Sequence, residues 1–280
     1  MTYPTLMVHL MAGSSNAGLL RIAGDLADRF HAHVIGIAAC RPMQTVAADG
    51  YISGDIVEQD FRRIDDALKA AEVEFRKAMP APAKNMADSL EWRSTTTFGP
   101  VSDYVALEAR SADLVVTGVD RNDSMFDTSR HADLGDLVMR VGRPVLIVPT
   151  AAQGVSLDRA LVGWKDTRET RRAIVDALPL LKKATFVAVA EIAEESELES
   201  ARVRLGQVVE WLKRHGVVAQ SIASASSGED AIHLDKLARE QKVDVIVAGA
   251  YGHNRLREWM LGGVTRDLLL RANGCSLVSH

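Results

Sequence analysis

Near its C-terminus the chain carries glycines at a spacing suited to holding an anion. The stretch Gly249-Ala250-Tyr251-Gly252 is followed by nine residues and then by Gly262-Gly263-Val264-Thr265-Arg266-Asp267, with residues 268–270 continuing as a helix. Glycine has no Cβ, so backbone N–H groups can turn inward and approach an oxyanion, and a Gly-Gly pair at a helix start adds the positive end of that helix. Phosphate is the natural guest. Thr265 can donate a hydroxyl to it, and His253, Arg255 or Arg257 can add charge. The same spacing is also compatible with glycines that merely cap a strand and a helix.

Elsewhere the chemistry-bearing residues are sparse. There is no Gly-x-Ser-x-Gly elbow, no Gly-x-x-x-x-Gly-Lys-Ser/Thr loop, no Cys-x-x-Cys and no His-Glu-x-x-His, so no dedicated catalytic or metal-binding set is legible. His131 and Asp133 lie close to Asp120, Asp123 and Asp127, but without paired ligand spacing they read as a solvated surface loop. Cys40 and Cys275 each end an apolar run and read as free core thiols.

The elements that position the glycines follow from periodicity. In the first half, apolar runs at residues 5–10, 33–39, 90–94, 114–118 and 145–148 read as strands. Helical patterns at 17–30, 55–79, 101–109 and 135–141 alternate with them. In the long second helix Phe61, Ile64, Leu68, Ala71 and Phe75 form one stripe. After a linker at 150–157 the same order restarts, with strands at 160–164, 185–190, 217–222 and 243–249 and a terminal apolar run at 274–280. Helices follow at 166–181 and along the stripe Leu198, Ala201, Leu205, Val208, Val209 and Leu212, with another after Gly228. Such alternation implies an α/β fold of open parallel sheets with helices on both faces.

The two halves are copies. Asp113 and Asp244, Gly118 and Gly249, Asp136 and Asp267, Arg140 and Arg271, and Leu146 and Leu277 all stand 131 residues apart without a gap. Domains at 1–152 and 153–280 are therefore expected. Ligands of open parallel sheets bind at the carboxyl ends of the strands, which directs attention to the loops after Trp164, Ala190 and Gly249.

The pattern Gly-x-x-Gly, nine residues, Gly, then a helix and an apolar terminal strand, resembles the nucleotide loop of the universal stress protein family. The strand-turn-helix openings at 6–20 and 161–173 are similar to that family's domain start. The resemblance covers nearly the whole chain as a tandem, two-domain form. It implies two Rossmann-like or flavodoxin-like domains, each a five-stranded parallel sheet, adenine-nucleotide binding (ATP or AMP, with Mg²⁺), and pairing of domains through their last strands. The residues it implicates are Gly163, Trp164, Lys165, Val189, Gly249, Gly252, His253, Gly262, Gly263, Val264 and Thr265.

Departures from the family pattern matter. Gly263 stands where nucleotide-binding members usually have Ser or Thr, and Lys165 stands where they tend to carry an Asp. An ammonium donates where a carboxylate accepts, so the usual nucleoside contact changes character, although Lys165 could meet a phosphate. In the N-terminal copy Gly252 is replaced by Arg121, Gly262 by His131 and Gly263 by Ala132, and Met11 occupies the place of the Asp. That copy is expected not to bind nucleotide in the family's manner.

The leading expectation is a stress-associated regulatory protein that binds a nucleotide without turning it over. A nucleotide-free interaction scaffold and a slow ATP hydrolase stay open beside it. The matching terminal strands, 143–149 and 274–280, point to an internal pseudo-dimer of the two halves and leave a further homodimer possible. A composition of 47% hydrophobic and 25% charged residues suits two folded cores, and a net charge of -4 with no basic block argues against nucleic-acid binding. With no apolar run of membrane-helix length and no N-terminal targeting signal, a soluble, cytoplasmic protein is expected.

Overall fold

In a computed structural model, residues 2–43, 54–79, 90–119, 129–149, 156–250 and 274–280 are described. The chain divides into two compact units, one running from Pro4 to Gly118 and on to Val141, the other holding Gly142–His280 together with Tyr3. The expected repeat boundary near residue 152 and the helix at 268–270 lie outside the described residues.

In the first unit β1 (Thr5–His9), β2 (His33–Cys40), β3 (Leu90–Thr96) and β4 (Leu114–Val119) are ordered β3-β2-β1-β4. The pairs β1/β2, β1/β4 and β2/β3 are parallel. Among the described residues α1 (Ala17–Phe30), α2 (Gly54–Ala78) and α3 (Val101–Glu108) connect them in turn, and α4 (Leu134–Arg140) follows β4. Along α2, Ile64, Leu68, Ala71 and Phe75 are buried as their spacing predicts. Phe61 is not, being 39% exposed. A 25-residue helix is about 37 Å long, whereas a strand of seven or eight residues spans about 25 Å, so the first turns of α2 overhang the sheet.

The second unit has the strand order β5-β10-β9-β6-β7-β8, from β5 (Val145–Pro149), β6 (Arg159–Gly163), β7 (Phe186–Ala193), β8 (Gln220–Ala225), β9 (Val245–Gly249) and β10 (Cys275–Ser279). All pairs in it are parallel except β5 with β10. Its helices among the described residues include α5 (Arg168–Leu181), α6 (Leu198–Arg214) and α7 (Asp230–Glu240). Leu161, Ala188, Ala190 and Ile246 pack with Leu234 and Ala238 of α7. The alternate residues of the strands point the other way: Glu191 meets Arg204 of α6, and Gly249 meets the start of α5. Helices therefore cover both faces. Strand β8 starts three residues later than the apolar run at 217–222 suggests, because Gly216 turns the chain at φ 81° and leaves Val218 88% exposed.

Two conserved-spacing pairs now have a physical role. Asp113 accepts from the Thr5 amide at 2.9 Å, and Asp244 accepts from the Asp158 and Arg159 amides at 3.0 Å each. Each aspartate thus pins the start of the first strand in its own repeat. Leu146 and Leu277 face one another across β5 and β10, flanked by Val145 opposite Val278 and Ile147 opposite Ser276. Since these positions are equivalents at the 131-residue offset, the register is its own mirror under a local twofold. Both cysteines are free and buried, as expected.

Candidate functional site

In the second unit β6 is the strand from which the order diverges, with β7 and β8 to one side and β9 and β10 to the other. In open parallel sheets ligands bind at such a switch point, at the carboxyl ends of the strands. The Trp164 amide donates to the Ala190 carbonyl at 2.7 Å, carrying the parallel pairing one residue past β6. The chain then turns tightly, with the Thr167 amide donating to the Lys165 carbonyl at 2.6 Å. Thr167 caps α5, its hydroxyl accepting from the Thr170 amide.

The side chains of this turn differ in what they offer. Lys165 is exposed and meets no carboxylate among the described residues. Asp166 is instead paired with Arg171 at 2.6 Å. Trp164 is 9% exposed, and its Nε1–H is buried without a hydrogen-bond partner. A buried donor left unmade costs on the order of 1–3 kcal/mol, so this indole carries an unmet donor at the carboxyl end of β6. Glu169, in the first turn of α5, is buried. Burial alone would raise its carboxyl, but hydrogen bonds from Arg168 (2.5 Å) and from its own amide and Thr167 hold it below the usual carboxylate range.

The two strand-end glycines serve packing. A Cβ on Gly249 would strike the Thr170 amide nitrogen and come within 2.6 Å of the Glu169 carbonyl carbon. On the other face, a Cβ on Gly163 would lie 3.0 Å from Leu234 of α7. Val189 is fully buried in mid-strand, opposite Val162 and Ser221. The structure therefore brings Gly163, Trp164, Lys165 and Gly249 to one end of the sheet, with Val189 one level below. Gly252, His253, Gly262, Gly263, Val264 and Thr265 lie outside the described residues. Sequence reasoning overlooked Glu169 and Glu191; the latter sits 6% exposed on β7 and is bonded to Arg204 at 2.6 Å. An acidic residue inside an apolar run was the available signal for Glu191.

The equivalent place in the first unit is built differently. The Leu10 amide donates to the Ile37 carbonyl at 2.9 Å, matching the Trp164 contact. Beyond it, the Asn16 carboxamide ties the loop by accepting from the Met11 amide (2.9 Å) and donating to the Met11 and Ser14 carbonyls. Residues 129–131 cross over this loop. The Arg41 amide donates to the Ser129 carbonyl at 2.7 Å, the Arg130 guanidinium sits against Gly13, and His131 Nδ1 lies 3.0 Å from Met11 Sδ. Beneath them His9 shares a hydrogen bond with Thr117 at 2.9 Å, and burial, with a smaller effect from His131, lowers its imidazole to about 4. Side chains of the protein thus occupy the ground that corresponds to Lys165 in the other copy.

No protein-family model and no curated protein matches the sequence. Solved structures do match in fold. A universal stress protein from Archaeoglobus fulgidus DSM 4304 superposes with a TM-score of 0.72 at 14% identity, covering 98% of this chain and 95% of that one. A functionally unknown protein from Pseudomonas aeruginosa PAO1 gives 0.63 at 12% identity over 99% of this chain and 92% of its own. A protein from Pseudomonas aeruginosa UCBPP-PA14 described under the universal stress protein name gives 0.61 at 13% identity, covering 99% and 93%. The chain thus has, over its full length, the α/β fold of solved universal stress proteins.

Proposed function

We propose that this chain is a tandem universal stress protein whose C-terminal repeat binds an adenine nucleotide, ATP or AMP, or a related phosphorylated ligand. In this reading it is a cytoplasmic stress-response regulator that holds the ligand without turning it over. The observation that carries the proposal is the contrast between the two switch points. At the end of β6 an exposed Lys165, with no carboxylate partner among the described residues, and the unpartnered Trp164 indole N–H stand beside the start of the glycine-rich segment. At the end of β1, Met11, Arg130 and His131 lie across the loop instead. A phosphate favours the first setting, where a cation meets no carboxylate among the described residues and glycines stand at 249 and 252 in the sequence.

The self-symmetric register of β5 and β10 supports an internal pseudo-dimer in which the repeats meet through their last strands. Mg²⁺ would accompany the phosphates of bound ATP. A nucleotide-free scaffold is the second reading, favoured by Lys165 offering donors where family members tend to offer a carboxylate acceptor.

Trp164 provides the test. Adding ATP or AMP, with and without Mg²⁺, is expected to change the tryptophan emission of the full-length protein, and the change should disappear in Trp164→Phe. If neither nucleotide alters the emission at millimolar concentration, and native mass spectrometry finds none retained, the scaffold reading replaces the nucleotide reading.

A further inference from the structure

We propose that the first unit holds a soft monovalent metal ion of the Cu(I) or Ag(I) class between His9, Met11 and His131, at the carboxyl end of β1. His9 closes β1 and Met11 stands two residues on, past Leu10, whose amide still pairs with the Ile37 carbonyl. His131 reaches the pair from the turn before α4, with its Nδ1 3.0 Å from the Met11 sulfur. His9 is 1% exposed and Met11 3%. His131 is half-buried and links the cluster to solvent.

The open valence lies on His9. Its Nδ1 meets the Thr117 hydroxyl, while Nε2 is buried without a partner. When Thr117 accepts from Nδ1–H, Nε2 carries the lone pair, the same outer-partner device that fixes the tautomer of metal-bound imidazoles. Two imidazole nitrogens and a thioether make a neutral, soft-to-borderline donor set. Among the described residues no group of three His, Cys, Asp or Glu side chains converges, so carboxylates or thiolates do not compensate a hard dication here. Arg130, next in sequence to His131, adds positive charge and further disfavours Zn²⁺, Mg²⁺ or Ca²⁺. With metal–ligand bonds of about 2 Å, an ion between Nδ1 and Sδ would spread them to roughly 3–4 Å, an adjustment within reach of the half-buried His131 ring.

The competing soft ligands are the two thiols, so the experiment uses full-length Cys40→Ala/Cys275→Ala protein. Titration with Ag(I), followed by native mass spectrometry and by the methionine methyl resonances, is expected to give one ion per chain and to shift one methyl signal that is missing in Met11→Leu. Met11→Leu conserves volume, so its fold should survive; His131→Gln is the second variant. Each is expected to weaken Ag(I) binding at least threefold. Absence of binding at micromolar ion, or a loss below threefold in both variants, overturns the proposal. Nucleotide binding by the other repeat is unaffected by either result.

Discussion

Gly249 and Asp176 show how single residues of the second unit are constrained. Gly249 reads in the sequence as a place where a phosphate could approach the backbone, yet its immediate neighbours are the amide of Thr170 and the carbonyl carbon of Glu169. Gly249→Ala is therefore expected to destabilise the protein by about 1–3 kcal/mol through overpacking, visible as a lower urea midpoint without any ligand present. Unchanged stability would mean that α5 does not press on the strand end. Asp176 lies half-buried on α5, and burial raises its carboxyl above the unfolded value of 3.8, only partly offset by the Ser279 hydroxyl, Arg172 and Arg143. A raised carboxyl keeps its proton longer in the folded state, so its contribution to stability is present at pH below 3.8 and is lost as pH rises through the folded pKa. Asp176→Asn should raise the urea midpoint at pH 7 and leave it nearly unchanged at pH 3. The Tyr3 hydroxyl, which donates to the Asp176 backbone carbonyl at 2.6 Å, keeps its partner in this variant. A lower midpoint at pH 7 would show that the arginine contacts outweigh burial.

At the scale of elements, the last strands carry the symmetry. Leu146 is 1% exposed and Leu277 is fully buried, and they stand opposite one another. Each truncation to Ala is expected to cost about 2–5 kcal/mol. The double variant should cost less than the sum, because the two side chains share one contact. Additive losses in urea unfolding would contradict the facing arrangement. The order of elements was legible because buried parallel strands appear as β-branched runs and α2 repeats its apolar residues at three and four. Phe61 misled because periodicity records which face of a helix is apolar but not how far the sheet beneath it extends. Residues 217–219 misled because an apolar pair after a turning glycine mimics a strand start. The site was legible only in part: the loop residues Trp164 and Lys165 could be found from the strand ends, whereas the contact of His131 with Met11 spans 120 residues and leaves no local pattern.

For the whole molecule, repeat boundaries and compact units are different quantities. The sequence repeat is expected to end near residue 152, but β5 belongs to the compact unit that includes β10. A fragment of residues 153–280, which bares the edge of β10, is therefore expected to self-associate more strongly than one of residues 142–280. Sedimentation velocity distinguishes the two, and a monomeric 153–280 fragment would contradict the role given to β5. No helix among the described residues is long and apolar enough to cross a membrane.

The functional account rests on an asymmetry between two copies of one fold, and calorimetric titration of the intact chain with ATP and Mg²⁺ probes it most directly. One nucleotide per chain is predicted, with binding lost in Gly262→Val and kept in His131→Gln. Two nucleotides per chain, or binding that survives Gly262→Val, would contradict it.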